Sequence, residues 1–187
     1  MRLRPVILAA GGILLLSLVG IPAAAAAPTP KALYTALLTS PIPRSQLPAG
    51  LQSPRVKSKS IAAGSNPSRH HVVGEVEVNL NSGQAKIVLV VFPTRGDALG
   101  NHADGVKGLT AVTGIRVQLS APGLPGPSLI INGSENGLGV TQVSFVAGNV
   151  GMNAQATRLN SKSGDIQGTL SLARFALRHL RAVQRSL

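Results

Sequence analysis

The chain has 187 residues, a formal net charge of +12, 44% hydrophobic content and no cysteine. That hydrophobic share supports a packed core and excludes wholesale disorder, while the missing thiols exclude disulfides, thiolate chemistry and a cysteine-linked lipid anchor. With three Phe, one Tyr and no Trp, the interior must be filled by Val, Leu, Ile and Ala, which depend on close packing of small side chains.

Residues 1–26, MRLRPVILAAGGILLLSLVGIPAAAA, have the three parts of an export signal. Arg2 and Arg4 form a positive start, residues 6–21 an apolar run, and the alanines of 23–27 a set of small-residue cleavage points. Pro28 is a poor first residue, which places cleavage after Ala25 or Ala26. The alternative is an uncleaved anchor, since 5–27 approaches the length of a bilayer crossing. Gly11, Gly12, Gly20 and Pro22, with no charged flank after the run, favour cleavage. Without Arg2 and Arg4 the remainder carries about +10, a surplus that favours anionic partners without choosing among them.

Residues 27–71 read as an N-terminal helix followed by a Pro/Ser-rich basic loop, and 72–187 as an α+β core, together one domain. KALYTALLT (31–39) predicts a short helix stopped by Pro41 and Pro43. The loop after it holds Arg44, Arg55, Lys57, Lys59 and Arg69 without an acid, with one edge strand expected near 55–60. VVGEVEVNLN (72–81) alternates Val76, Val78 and Leu80 with Glu75, Glu77 and Asn79, the period of a half-buried strand. Asn81-Ser82-Gly83 forms a turn, and KIVLVVF (86–92), apolar throughout, completes a hairpin as a central buried strand.

The period then changes. Leu99, His102 or Ala103, Val106 and Leu109 recur at helical spacing, predicting a helix over 95–107. Thr94 and Asp97 stand at the spacing of a capping box, so Arg95-Gly96-Asp97, which has the letters of an adhesion tripeptide, reads as a helix start. Four strands are expected at 114–120, 128–131, 140–147 and 150–158, separated by turns rich in Gly and Pro. A closing helix runs from Asp165 to about Gln184, capped by Ser163 or Asp165. Ile166, Leu170, Ala173, Leu177, Leu180 and Val183 form its apolar stripe, and Arg174, Arg178, Arg181 and Arg185 a second stripe beside it.

This order predicts an α+β fold: an antiparallel sheet of about five to six strands, packed on one face by the long C-terminal helix and one or two shorter ones. The pattern resembles small exported bacterial α+β domains of uncharacterised function and, more loosely, helix-flanked antiparallel sandwiches of the PsbP and Mog1 kind. The resemblance implies a fold and no site.

Catalytic chemistry finds little purchase. No Ser sits in a G-x-S-x-G element, and Glu75 and Glu77, two apart on one strand, flank no cleft. His71, Glu75 and Glu77 would share a strand face and are the metal-ligand candidates, against the simpler reading of a solvated polar face. His102 and Asp104, two apart on a helix, do not face one another. Nucleic-acid binding lacks the aromatic platforms that stack bases. The sequon Asn132-Gly133-Ser134 has no role in the bacterial source that the Ala/Gly/Pro/Arg-rich chain suggests. The expectation is an exported, non-enzymatic domain without cofactor, contacting anionic envelope polymer or lipid headgroups through Arg174, Arg178, Arg181 and Arg185. The alternative is a small-ligand binder with a pocket between sheet and helices. Oligomeric state stays open.

Overall fold

Alternation along residues 74–80 and unbroken apolarity along 87–91 are both realised in one sheet. The computed structural model describes residues 27–40, 42, 47, 55–59, 71–80, 84–109, 115–135, 137–159 and 164–187. The elements are α1 (Pro30–Thr39), β1 (Arg55–Lys59), β2 (Gly74–Leu80), β3 (Ala85–Val91), α2 (Arg95–Leu109), β4 (Ile115–Gln118), β5 (Ser128–Glu135), β6 (Leu138–Ala147), β7 (Val150–Leu159) and α3 (Ile166–Arg185). The export signal, the turn at Asn81-Ser82-Gly83 and the alternative cap Ser163 lie outside the described residues.

The strands form one seven-stranded sheet in the order β1-β2-β3-β7-β6-β5-β4, every neighbouring pair antiparallel. β2–β3 and the β4-β5-β6-β7 meander are local pairings. β7 then inserts between β3 and β6, joining the two halves. Gly148, with φ of 63°, opens the two-residue turn between β6 and β7, where an L side chain would be strained.

Inner-facing residues of the strands meet α1 and α3. Val76, Val78, Leu80, Ile87, Leu89, Val143, Phe145, Met152 and Ala154 share one buried cluster with Leu33 and Leu37 of α1 and with the apolar face of α3. α3 buries ten of its twenty residues, among them Leu172, Phe175, Ala176 and His179 besides most of the expected stripe. Asp165 caps it, its Oδ1 accepting from Gly168 N at 2.9 Å, which satisfies one otherwise orphaned helix donor. α1 is capped by Thr29 and lies so close to β2 that a Cβ at Gly74 would fall on the Tyr34 ring.

One expectation is corrected: helices cover both faces. Phe92, Ala98 and Val146, with Val72, Val90 and Leu99, form a second, smaller cluster beneath α2, separate from the first. The reason is topological. β3 sits in the middle of the sheet and β4 at its far edge, so the chain between them must cross one face. The inner face is already filled by α1 and α3, and α2 crosses the other.

Candidate functional site

The outer face of the sheet is laid out by strand pairing. Inner positions being fixed by the core, the alternate residues point outward: Glu75, Glu77 and Asn79 on β2, Lys86, Val88 and Val90 on β3, Gly151, Asn153 and Gln155 on β7, and Gln142, Ser144 and Val146 on β6. Register sets them in rows. Glu77, Val88, Asn153, Ser144 and Leu129 follow one another across five strands, as do Asn79, Lys86, Gln155, Gln142 and Ile131. Among the outward residues just named, charge is confined to β2 and β3, and those of β7 and β6 carry none.

α2 bridges this neutral part without closing on it. Its sequence RGDALGNHADGVKGL carries four glycines, and Ala98 is its one buried residue. Thr94 and Asp97 start it reciprocally: Asp97 N donates to Thr94 Oγ1 at 3.1 Å, and Thr94 Oγ1 donates to Asp97 Oδ2 at 2.6 Å. The cap expected at Arg95-Gly96-Asp97 is therefore formed in part: Thr94 takes the Asp97 N–H, while the Asp97 carboxylate closes on the Thr94 hydroxyl and not on its backbone N–H. Asn149 Nδ2 donates to Phe92 O at 2.8 Å, tying the β6–β7 turn to the entry of the helix.

Between α2 and the sheet lies a half-open cleft of about 220 Å³. Its walls are Val88, Val90, Val106, Leu109 and Leu129, and its polar groups are Asn101, His102, Gln142, Ser144 and Asn153. No Asp, Glu, Lys or Arg lines it among the described residues. Burial holds the His102 imidazole below the usual histidine range, so it is neutral at physiological pH. Asn153 Oδ1 is buried without a hydrogen-bond partner, the single such side-chain atom among the described residues. An unpaired buried amide oxygen carries a free-energy cost of about 1–3 kcal/mol, and its residue is one of those that line the cleft. Gly105 also borders the cleft, and a Cβ there would meet nothing within 4 Å, so packing alone does not demand glycine.

The candidates named from sequence fall elsewhere. Arg178, Arg181 and Arg185 are exposed on α3, whereas Arg174 is partly buried and donates from Nη2 to the Pro122 carbonyl at 2.9 Å. One member of the arginine row thus holds the loop before β5. His71 is exposed ahead of β2, and Glu75 and Glu77 lie half-buried on its outer face. Glu77 Oε1 accepts from Asn79 Nδ2 at 2.7 Å. Among the described residues no three His, Cys, Asp or Glu side chains come together as a metal-binding group, so His71, Glu75 and Glu77 are not assembled into one. His102 and Asp104 also part: His102 borders the cleft and Asp104 pairs with Lys107 at 3.5 Å. At the sequon, Asn132 Oδ1 accepts from Thr141 Oγ1 and Gly164 N, both at 3.0 Å, fixing the start of α3 to the sheet.

Asn101, Gln142, Ser144 and Asn153 were not singled out by sequence reasoning. The available signal was compositional: the outward positions of β6 and β7 avoid charge, in a chain where β2 and β3 place Glu75, Glu77 and Lys86 at theirs.

No family model matches the chain, and no curated protein matches it. Among solved structures, the extracellular domain of PknH from Mycobacterium tuberculosis is similar, with a TM-score of 0.45 and 9% identity, covering 74% of this chain and 94% of that domain. No helix among the described residues is long and apolar enough to cross a membrane.

Proposed function

We propose that this is an exported, non-enzymatic binding domain whose ligand site is the cleft between α2 and the outer face of the sheet. The observation that carries it is the cleft itself: apolar walls around uncharged polar groups, with Asn153 Oδ1 buried and unpaired. Such a lining binds by burying apolar surface and orients by a few hydrogen bonds, the usual construction of a small-molecule site. Its volume of about 220 Å³ falls below the range of about 300–1,000 Å³ that suits drug-sized compounds, so the ligand is small.

A thermal-shift screen of small compounds tests this, with Ser144→Leu as the blocking variant because position 144 faces the cleft. A ligand of the site raises the melting temperature of the wild-type protein and loses that effect in the filled variant. Compounds that stabilise both proteins equally bind elsewhere and would remove the cleft from consideration.

A second reading rests on a different observation. Arg178, Arg181 and Arg185 are exposed at spacings of three and four on one helix face, and none has an acidic partner among the described residues. This row would contact anionic envelope polymer or lipid headgroups. Sedimentation with anionic vesicles or wall polymer over a salt series checks it. Binding that falls with salt, and falls again when the three arginines become glutamine, is expected; no binding at low salt ends the idea.

A further inference from the structure

The cleft's chemistry points to a class of ligand, an inference that rests on the cleft being the binding site. We infer that it takes a small uncharged molecule with a short apolar body and a neutral N–H or O–H donor, a primary amide above all, which pairs with the Asn153 side-chain amide.

Three observations converge on that class. The lining has no Asp, Glu, Lys or Arg among the described residues, in a chain of net charge +12. A charged group entering there would lose hydration without meeting an opposite charge. Asn153 lines the cleft and its Oδ1 has no donor within the protein, so a slight turn of the side chain would offer the amide to a ligand N–H or O–H. The carboxamide of Asn153 presents acceptor and donors side by side, which a primary amide meets with both of its own groups. Position supplies the rest. In its row Asn153 is flanked by Val88 on β3 and Ser144 on β6, so a ligand head on Asn153 sets its body along Val88 and beneath Val106. His102, neutral through burial, adds a group that can donate or accept and brings no charge to the site.

A head-group series on one apolar tail is the test, read by backbone and side-chain amide NMR shifts of the purified protein. The probes are hexanamide, hexanoate and hexylammonium, with benzene as a purely apolar probe. Hexanamide should shift the amides of Val88, His102, Ser144 and Asn153 and bind at least tenfold more tightly than either ion. Asn153→Leu, close to Asn in size, should weaken hexanamide about five- to tenfold, the worth of one neutral hydrogen bond, and leave benzene binding unchanged. Hexanoate or hexylammonium binding as well as hexanamide would overturn the class, as would undiminished hexanamide binding in the variant or an ordered water as the sole occupant of Asn153. Should Asn153→Leu not fold, the head-group ranking in the wild-type protein decides alone. Benzene filling the cleft while hexanamide does not would keep the site and sink the class. If none of the four probes moves these amides, the cleft itself is not a ligand site.

Discussion

One sheet carries two very different helices. α3 lays ten buried residues, from Thr169 to Val183, against the inner face, and its apolar stripe is continuous at spacings of three and four. α2 lays down Ala98 and partly buried Leu99 on the outer face, and carries glycine at four of its fifteen positions. The first arrangement is a core in the ordinary sense, aliphatic and close-packed. The second leaves room. The lesson is that a helix can be positioned by one end, here by the Thr94–Asp97 contact and the Asn149–Phe92 tie at its N-terminus, while the rest stands off the sheet over a cleft.

The contrast breaks most readily by truncation. Leu180, 1% exposed beneath α3, should cost about 2–5 kcal/mol when changed to Ala, through lost transfer energy and a residual cavity. Leu99→Ala beneath α2 should cost less than about 1.5 kcal/mol, since it is only partly buried to begin with. Urea unfolding of both variants measures the difference, and equal losses would show that α2 is packed as tightly as α3.

Glycine substitution sharpens the same point with a change of sign. Gly105→Ala should stabilise the protein by up to about 1 kcal/mol, because Ala is the better helix former and its Cβ meets nothing within 4 Å. Gly168→Ala on α3 should destabilise, since the new methyl would press on the Asp165 carboxylate that caps the helix. A loss at Gly105 would mean that α2 is closer to the sheet than it stands here.

The smallest effect is on pH dependence. Burial lowers the pKa of both His179 and His102, so the unfolded chain takes up these protons before the folded one does. Stability from each is complete above about pH 6.5, the ordinary histidine value, and declines as pH falls from there through the lowered folded pKa. His179, stacked on Phe175 with ring centroids 6.4 Å apart and 8% exposed, belongs to the tight layer. Melting temperatures between pH 8 and pH 5 should fall on acidification, and His179→Phe should remove more of that slope than His102→Gln. The reverse order would place the more confining environment under α2.

Much of this architecture was legible in the residues. Alternation at Val76, Val78 and Leu80 marked β2, the capping spacing at Thr94 and Asp97 marked the start of α2, and the stripe from Ile166 to Val183 marked α3. All three signals are local, decided within a few residues. The face on which α2 lies was not legible, because it depends on which strands become neighbours, a matter of pairings up to about seventy residues apart such as Ala85 with Ala156. The cleft inherits that difficulty. Asn153 and Ser144 look like the solvated half of any alternating strand until a helix is set above them. Unbroken apolarity at Val88 and Val90 pointed the other way, and the structure shows why: both faces of β3 are covered. Arg174 misled in a different manner, since helical spacing places it in a row with Arg178, Arg181 and Arg185 but gives no hint of the Pro122 carbonyl it binds.

The insertion of β7 between β3 and β6 has a consequence for the order in which the chain can fold. Of the seven strands it is the last made, yet it stands at the centre. Until it arrives, β1-β2-β3 and β4-β5-β6 are two half-sheets, each presenting a bare edge of backbone N–H and C=O groups to any strand nearby. A chain emerging N-terminus first holds β1 to β6 before β7, and any chain shortened before Val150 would lack the strand that covers both edges. The residues that close the sheet are therefore also those that protect the unfinished protein from pairing with its own copies.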